Sequence, residues 1–352
     1  KYHGTSNDYP VGSLVKVTNP ANNAAVIIKI ASKWGQPTGR VVDLSYAAFS
    51  ALRSTNDGLT KVTVQPAPGA AVGPVGGVAT PSPSISATEI LKKFTVTADG
   101  ITAPKVKASG YVVYDQNNGT ILASSNPDVV RPIASITKLM TAMVFLDRKP
   151  SMNKVIAYSS KDAAECSCLK VKPGETMKLT DVLNVMLVGS ANNAANMLAR
   201  STGLTKAQFV AAMNAKAKAI GLTKTQFADP SGLNPGNVST PAELATMASY
   251  AFHTYSDIRT ITTKKSYVFS TINTKQKHTI ILRYSLVGTS SISGMTATGS
   301  KTGFTNEAGQ TYAFRARNAQ GAHVIVTILN APSSAQRNAD VAALLKWAFQ
   351  HH

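Results

Sequence analysis

This sequence is short of acid. Against 36 Lys and Arg it sets only 17 Asp and Glu, a formal net charge of +19 over 352 residues. Such an excess favours an anionic setting: nucleic acid, an anionic membrane surface or an acidic cell-wall polymer. The basic residues are scattered, with no Arg-rich block and no aromatic interleaving, so no nucleic-acid partner is expected. Cysteine is almost missing, and the two present, Cys166 and Cys168, sit at a spacing that would strain a disulfide. Free thiols are expected, and with no other ligands evident they imply no metal site. No apolar run approaches the ~20 residues of a membrane-spanning helix. The chain opens on Lys1-Tyr2-His3 without an initiator methionine or signal-peptide pattern, so nothing about export or anchoring follows from its first residues. What is there is 43% hydrophobic and 15% charged, the composition of a globular protein with length enough for two domains.

Residues 1–66 read as a β-rich module. Leu14–Thr18 and Val26–Ile30 are short strands around the turn Asn19-Pro20-Ala21-Asn22-Asn23, Gly39–Leu44 is a third, and Lys61–Val64 closes the unit. Ser45 is placed to cap a helix over Tyr46–Arg53. In the order of these pieces, and in Pro10–Asn19 and Gly39–Ser45, the module resembles the small double-psi β-barrel of the RlpA family. Some members of that family are lytic transglycosylases, which need carboxyl groups. Here Ala31-Ser32-Lys33-Trp34 stands where the family has Asn-Asp-Arg-Gly, so Ser32 replaces its acid. His3 lies farther from Pro10 than the family histidine, and Asp43 reads as a structural aspartate at a strand end. The module is therefore expected to be non-catalytic, a spacer or a domain that binds glycan or anionic wall polymer. Residues 67–88, rich in Pro, Gly, Ala and Ser and without apolar periodicity, read as a linker.

Residues 89–350 form the second domain. Tyr111–Asp115 and Thr120–Ala123 flank Asn117-Asn118-Gly119, a hairpin signal. Thr180–Val188 and Ala194–Arg200 are apolar helices separated by Gly189–Asn193. Thr205 with Gln208, and Thr240 with Glu243 behind Pro241, have capping-box spacing. Strands return at Gly299–Phe304, Thr311–Ala316 and His323–Leu329, and a helix closes the chain over about Asn338 to Phe349. Strands, a helical middle, then strands and a helix predict an α+β domain in which both chain ends supply one antiparallel sheet.

The chemistry is concentrated in three short motifs. Ser135 heads the apolar run Leu139–Leu146, and Lys138 follows it by three residues, so hydroxyl and amine share one face of a buried helix. Three other Ser-x-x-Lys pairs act as controls. Ser13/Lys16 falls on a strand, Ser151/Lys154 heads no apolar helix, and Ser167/Lys170 runs into the turn Lys172-Pro173-Gly174. Ser190-Ala191-Asn192 interrupts two apolar helical segments, whereas Ser124/Asn126 and Ser151/Asn153 fall in polar loops. Lys301-Thr302-Gly303, ahead of Phe304, occurs once and heads a strand, where glycine allows close approach of a substrate backbone.

In this order the three motifs resemble the signature of penicillin-binding proteins and serine β-lactamases. Pro132–Met140, Leu187–Asn192, Asp229–Leu233 and Ser239-Thr240 narrow the resemblance to the low-molecular-mass D-alanyl-D-alanine carboxypeptidases, over about residues 103–349. It implies a serine β-lactamase/DD-peptidase-like fold and a serine-type D-Ala-D-Ala carboxypeptidase without a cofactor. The implied substrate is a peptidoglycan stem peptide ending in D-Ala-D-Ala, with β-lactam antibiotics as covalent inhibitors and an extracytoplasmic location. Ser135 would be the nucleophile, Lys138 its base, held neutral by burial and by the field of Lys301, and Ser190 the proton relay. Asn192 would hold Lys138 and the substrate amide. Lys301 and Thr302 would take the terminal carboxylate, Gly303 would admit the substrate backbone, and the N–H groups of Ser135 and Phe304 would form the oxyanion hole.

A penicillin-binding sensor without turnover and a DD-endopeptidase are the alternatives. A class A β-lactamase is disfavoured because no Glu-x-x-Leu-Asn stands between the second and third motifs. Asp229, Asn234 and Asn237 read as loop residues, and His253, His278 and His323 as structural.

Overall fold

The computed structural model describes residues 3–6, 8–20, 24–32, 43–44, 52, 62–69, 73–75, 103–165 and 167–351. The chain divides into two compact units, Lys1–Pro83 and Ser84–His352.

The first unit has strands β1 (His3–Thr5), β2 (Leu14–Thr18), β3 (Ala25–Ser32), β4 (Asp43–Leu44), β5 (Thr63–Pro66) and β6 (Gly73–Val75). They pair in the order β4-β1-β3-β2-β5, with β6 also on β3; β1 and β3 run parallel and the other pairs antiparallel. Val15 and Val17 alternate inward along β2 and meet Val26, Ile28, Ile30 and Leu52 in a closed apolar core. The two expected strands Leu14–Thr18 and Val26–Ile30 are present. The closing strand lies two residues later than Lys61–Val64. β6 falls inside the stretch expected to be linker. Its main chain pairs at the end of β3, where a proline such as Pro74 is tolerated, and composition gives no sign of it. Residues 39–42 of the third expected strand, and the helix expected over 46–53 apart from Leu52, lie outside the described residues, as do 70–72 and 76–88 of the linker.

The second unit begins with the hairpin β7 (Gly110–Asp115) and β8 (Thr120–Ser125). After β9 (Arg131–Pro132) come the 3-10 turn Ala134–Ile136 and helix α1 (Thr137–Asp147). The strands β10 (Val155–Ala157) and β11 (Thr176–Lys178) pair with each other ahead of α2 (Leu179–Val188), α3 (Asn192–Ser201) and α4 (Lys206–Ala219). β12 (Val238–Ser239) pairs back onto β9 and precedes α5 (Pro241–Thr254) and α6 (Ser256–Ile261). The hairpin β13 (Ser266–Ser270) and β14 (Lys277–Ile281) leads to the long strands β15 (Thr296–Thr305), β16 (Gly309–Arg317) and β17 (His323–Ala331), and α7 (Ser334–Gln350) ends the unit.

The main sheet is antiparallel in the order β15-β16-β17-β7-β8, so both ends of the unit supply it, as expected. Alternation along β16 and β17 sends Tyr312, Phe314, Val326 and Ile328 to one face, against Val341, Leu344 and Leu345 of α7. Ala313, Ile325 and Leu329 face the other way, into the helical core built on α1. All of Thr137 to Phe145 is buried, which makes α1 the axis of that core. The Thr205/Gln208 capping box closes in both directions. At Thr240 only half of the expected box forms. Glu243 donates its N–H to Thr240 Oγ1 at 3.1 Å, but its carboxylate turns away to accept from Thr223 N, Lys224 N and Thr225 Oγ1.

Candidate active site

Ser135 does not sit in the α-helix proper. It occupies the 3-10 turn that feeds α1, behind Ala134, whose φ of 49° lies in the left-handed region. Residues three apart eclipse in a 3-10 turn, so the shared face expected of Ser135 and Lys138 survives the change of helix type. Lys138 is fully buried, and its Nζ lies 2.7 Å from Ser135 Oγ. Nζ also donates to Asn192 Oδ1 at 2.7 Å and to the Ser231 carbonyl at 2.5 Å. Two fixed acceptors and one hydroxyl therefore surround the amine. When neutral, it can keep both acceptors and turn its lone pair on Ser135 Oγ.

Burial lowers the Lys138 pKa to about 7, while the charge of Asp229 and then of Cys168 pull it back up. Burial, rather than the field of Lys301, carries the shift, which refines the expectation. The pressure between the two cations is felt at Lys301. Its pKa is well below the usual lysine value, first through burial and then through Lys138 and Arg337. Lys301 Nζ donates to Ser190 Oγ at 2.9 Å and to the Thr302 carbonyl at 2.8 Å. Ser190, between α2 and α3 with a φ of 57°, is thus held on Lys301. Asn192 does hold Lys138, as expected. Its Nδ2, expected to face the substrate amide, donates instead to the Glu165 carbonyl at 2.9 Å.

β15 is the edge strand of the sheet and lies against the Ser135 turn. Thr311 Oγ1 on β16 donates to Ile133 O at 3.1 Å and pins that turn from below. Gly303 makes the approach possible. A Cβ there would stand 2.5 Å from Thr311 Oγ1, 2.8 Å from Ser135 N and 3.0 Å from Ile133 O. Gly303→Ala is therefore expected to cost about 1–3 kcal/mol of stability through overpacking. It should also slow covalent penicillin labelling, because Ser135 must shift; thermal unfolding and gel fluorescence read the two effects.

All eight site residues expected from the sequence gather here. Ser135, Ser190, Asn192, Thr302, Gly303 and Phe304 line a single cleft of about 1070 Å³, and Lys138 and Lys301 lie buried beneath, bonded to its walls. Phe304 is 57% exposed on the wall.

Several contributors lie outside the three catalytic motifs. The loop Asp229–Asn237 supplies the Ser231 carbonyl to Lys138. Asp229 holds the loop in shape, accepting from the N–H groups of Ser231, Gly232 and Asn234 at 2.5–2.6 Å and from Ser231 Oγ at 3.0 Å. Gly232, at φ +88°, leaves no room for a side chain against Ala134. Asn193 clips the opposite rim, with both amide atoms on the Leu169 backbone at 2.9 Å. Ser167, set aside with Lys170, lies on the cleft wall, and its carbonyl accepts from Asn192 N at 2.7 Å. Cys168 beside it is a free thiol; Cys166 lies outside the described residues. Arg337 of α7 also reaches the cleft, stacks on Tyr312 and donates to Tyr284 O and Gln310 Oε1.

Asp229 is both scaffold and counter-charge. Asp229→Asn is expected to lower the melting temperature, since an amide cannot accept at both oxygens. It should also move the acid limb of the acylation rate to lower pH, because the charge that raises the Lys138 pKa is gone. Penicillin acylation rates between pH 5 and 9 check the second effect.

A serine hydroxyl against a buried amine of lowered pKa, beside a second buried cation on an edge strand, is the arrangement of a serine acyl-transfer enzyme. The comparisons agree. The family model for D-alanyl-D-alanine carboxypeptidase, peptidase S11, matches residues 97–333, and the chain belongs to that family. It is 36% identical to a D-alanyl-D-alanine endopeptidase of Pseudomonas aeruginosa, over 70% of this chain and 79% of that one. It is 32% identical to the D-alanyl-D-alanine carboxypeptidase DacB2 of Mycobacterium tuberculosis, over 61% and 72%. Among solved structures, the Streptomyces K15 DD-transpeptidase is similar at a TM-score of 0.66 and 29% identity, over 71% of this chain and all of that one. The second unit thus has the DD-peptidase fold and is a serine D-Ala-D-Ala hydrolase.

Proposed function

We propose that this enzyme removes the terminal D-alanine of peptidoglycan stem peptides through an acyl-enzyme on Ser135. The observation that carries this is the placement of Lys138 Nζ, buried and 2.7 Å from Ser135 Oγ, with a pKa lowered to about 7. Neutral Lys138 takes the Ser135 proton as Oγ attacks the carbonyl between the two D-alanines. The N–H groups of Ser135 and Phe304 hold the oxyanion, at about 3 kcal/mol per donor. Ser190 passes a proton to the departing amine. Lys301, Thr302 and, behind them, Arg337 receive the terminal carboxylate, a charge-assisted contact that also restores the charge burial disfavours on Lys301. Gly303 admits the substrate strand alongside β15. For Asn192, substrate would replace the Glu165 carbonyl on Nδ2 while Oδ1 stays on Lys138. Water then frees the acyl group.

β-Lactams imitate D-Ala-D-Ala and would trap Ser135. Release of D-alanine from diacetyl-Lys-D-Ala-D-Ala tests the reading. Turnover is expected, whereas stable fluorescent-penicillin labelling without any release would make the protein a sensor instead.

The name of the Pseudomonas aeruginosa relative favours a second reading, cleavage of D-Ala cross-bridges between two stem peptides. A cross-linked dimer offered beside the tripeptide separates the two. For the first unit, we keep the RlpA-like double-psi barrel as the proposed fold and glycan or anionic wall polymer as its proposed ligand. Its mixed strands, with β1 parallel to β3, support the fold reading. The substrate chemistry supports an extracytoplasmic site of action.

A further inference from the structure

We propose that His253, Arg259, Arg315, Arg317 and His323 form a binding site for a phosphate-type oxyanion on the second unit, separate from the Ser135 cleft. None of the five lines that cleft. The sheet brings them together. Arg315 and Arg317 are two apart on β16 and point to one face. His323 opposes Arg317 across the β16–β17 register. On that face α5 carries His253 in its last turn, and Arg259 of α6 reaches back to donate from Nη1 to the Phe252 carbonyl at 3.0 Å and the His253 carbonyl at 3.4 Å. Burial places His253 below the usual histidine range, with Arg315 and Arg259 pushing it further. His323 is lowered to about 4, by burial, then by Arg315, Arg317 and His253. Burial also lowers Arg315, with Arg259 and Arg317 next. Among the described residues, the charges that shift these three groups are those of arginines and a histidine.

Among the described residues no carboxylate pairs with any of the five; the ion pairs use Arg200, Lys216 and Lys224. Arg315 is 5% exposed, yet its Nε is buried without any hydrogen-bond partner. A buried guanidinium donor with nothing to bond is rare in a folded protein, and it points to a group that the site takes up. Three guanidinium forks and two imidazoles fit an oxyanion with several acceptor oxygens, which arginine grips in bidentate fashion. Phosphate meets that geometry, either free or as the repeating phosphodiester of an anionic polymer. The net charge of +19 would draw a polyanion towards the protein.

Calorimetric titration of the full chain with inorganic phosphate, at constant ionic strength set by chloride, tests the site. Saturable binding is expected, weakened about tenfold or more in Arg317→Gln, since one charged contact is lost. Arg317 is exposed on the surface, so this variant should fold, and unchanged D-alanine release would verify that. His323→Gln should weaken binding as well. A glycerol-phosphate oligomer is the second ligand. Binding tighter than that of inorganic phosphate, and steeply salt-dependent, identifies a polymer ligand; no gain over phosphate identifies the free ion. The proposal is overturned if phosphate shows no saturable binding. It is equally overturned if Arg317→Gln binds as the wild type does, or if acetate binds as tightly as phosphate.

Discussion

Replacing Ser135 by alanine is expected to reduce D-alanine release by about four orders of magnitude or more, because the members of such a catalytic unit act together. The fold should be untouched. Ser135 is half-buried at the mouth of the cleft, and its Oγ has Lys138 Nζ as its hydrogen-bond partner. Alanine leaves Lys138 bonded to Asn192 and the Ser231 carbonyl, so the thermal midpoint should move little. Covalent penicillin labelling should vanish together with turnover. Activity kept by Ser135→Ala would mean that another hydroxyl is the nucleophile, and Ser190 would be the first to test. It is bonded to Lys301, not to Lys138, and so lacks an amine held by two fixed acceptors.

The second large effect is on pH. If Lys138 must be neutral to accept the Ser135 proton, acylation should rise with pH through about 7 and level off above about 8. One unit below that midpoint roughly a tenth of the amine is neutral, so the rate near pH 6 should fall to about a tenth of its plateau. The sign follows from burial. Charging Lys138 costs desolvation that Asp229 only partly offsets, so protonation below the midpoint removes the base. Lys138→Arg keeps a positive charge but has no proton acceptor at any accessible pH. It should lose about 10³-fold or more, the larger end of a general-base contribution, and show no acid limb. Single-turnover acylation with a chromogenic cephalosporin from pH 5 to 9 measures both. A wild-type rate flat across pH 6–8 would remove Lys138 from its assigned role.

The sequence was most legible where side chains carry the chemistry. Ser135, Lys138, Ser190, Asn192 and Lys301 to Phe304 stand out because their spacing fits the elements beneath them, and those elements converge on one cleft. What escaped notice is backbone. The Ser231 carbonyl on Lys138 has no residue-type signature, although the Asp229-Pro230-Ser231-Gly232 turn that presents it does. Asn193 looked like one more polar residue in a helix break, yet it fixes the Leu169 rim with two hydrogen bonds. Along the β13–β14 hairpin, exposed residues alternate with half-buried ones and the buried Phe269, a weaker signal than the apolar runs of β16 and β17. His253 and His323 read as structural because histidines far apart in sequence show no partner spacing; only the sheet register sets them among arginines. In the first unit β6 pairs through its main chain in a Pro/Gly stretch, where composition is silent.

The most direct test of the central assignment is to let the enzyme mark its own nucleophile. Intact mass spectrometry after brief exposure to benzylpenicillin should show one penicilloyl adduct per chain. Peptide mapping should place it on Ser135, in the stretch Arg131–Lys138 that feeds α1. An adduct on Ser190, Ser167 or Cys168, or none at all while D-alanine is still released, would contradict the account.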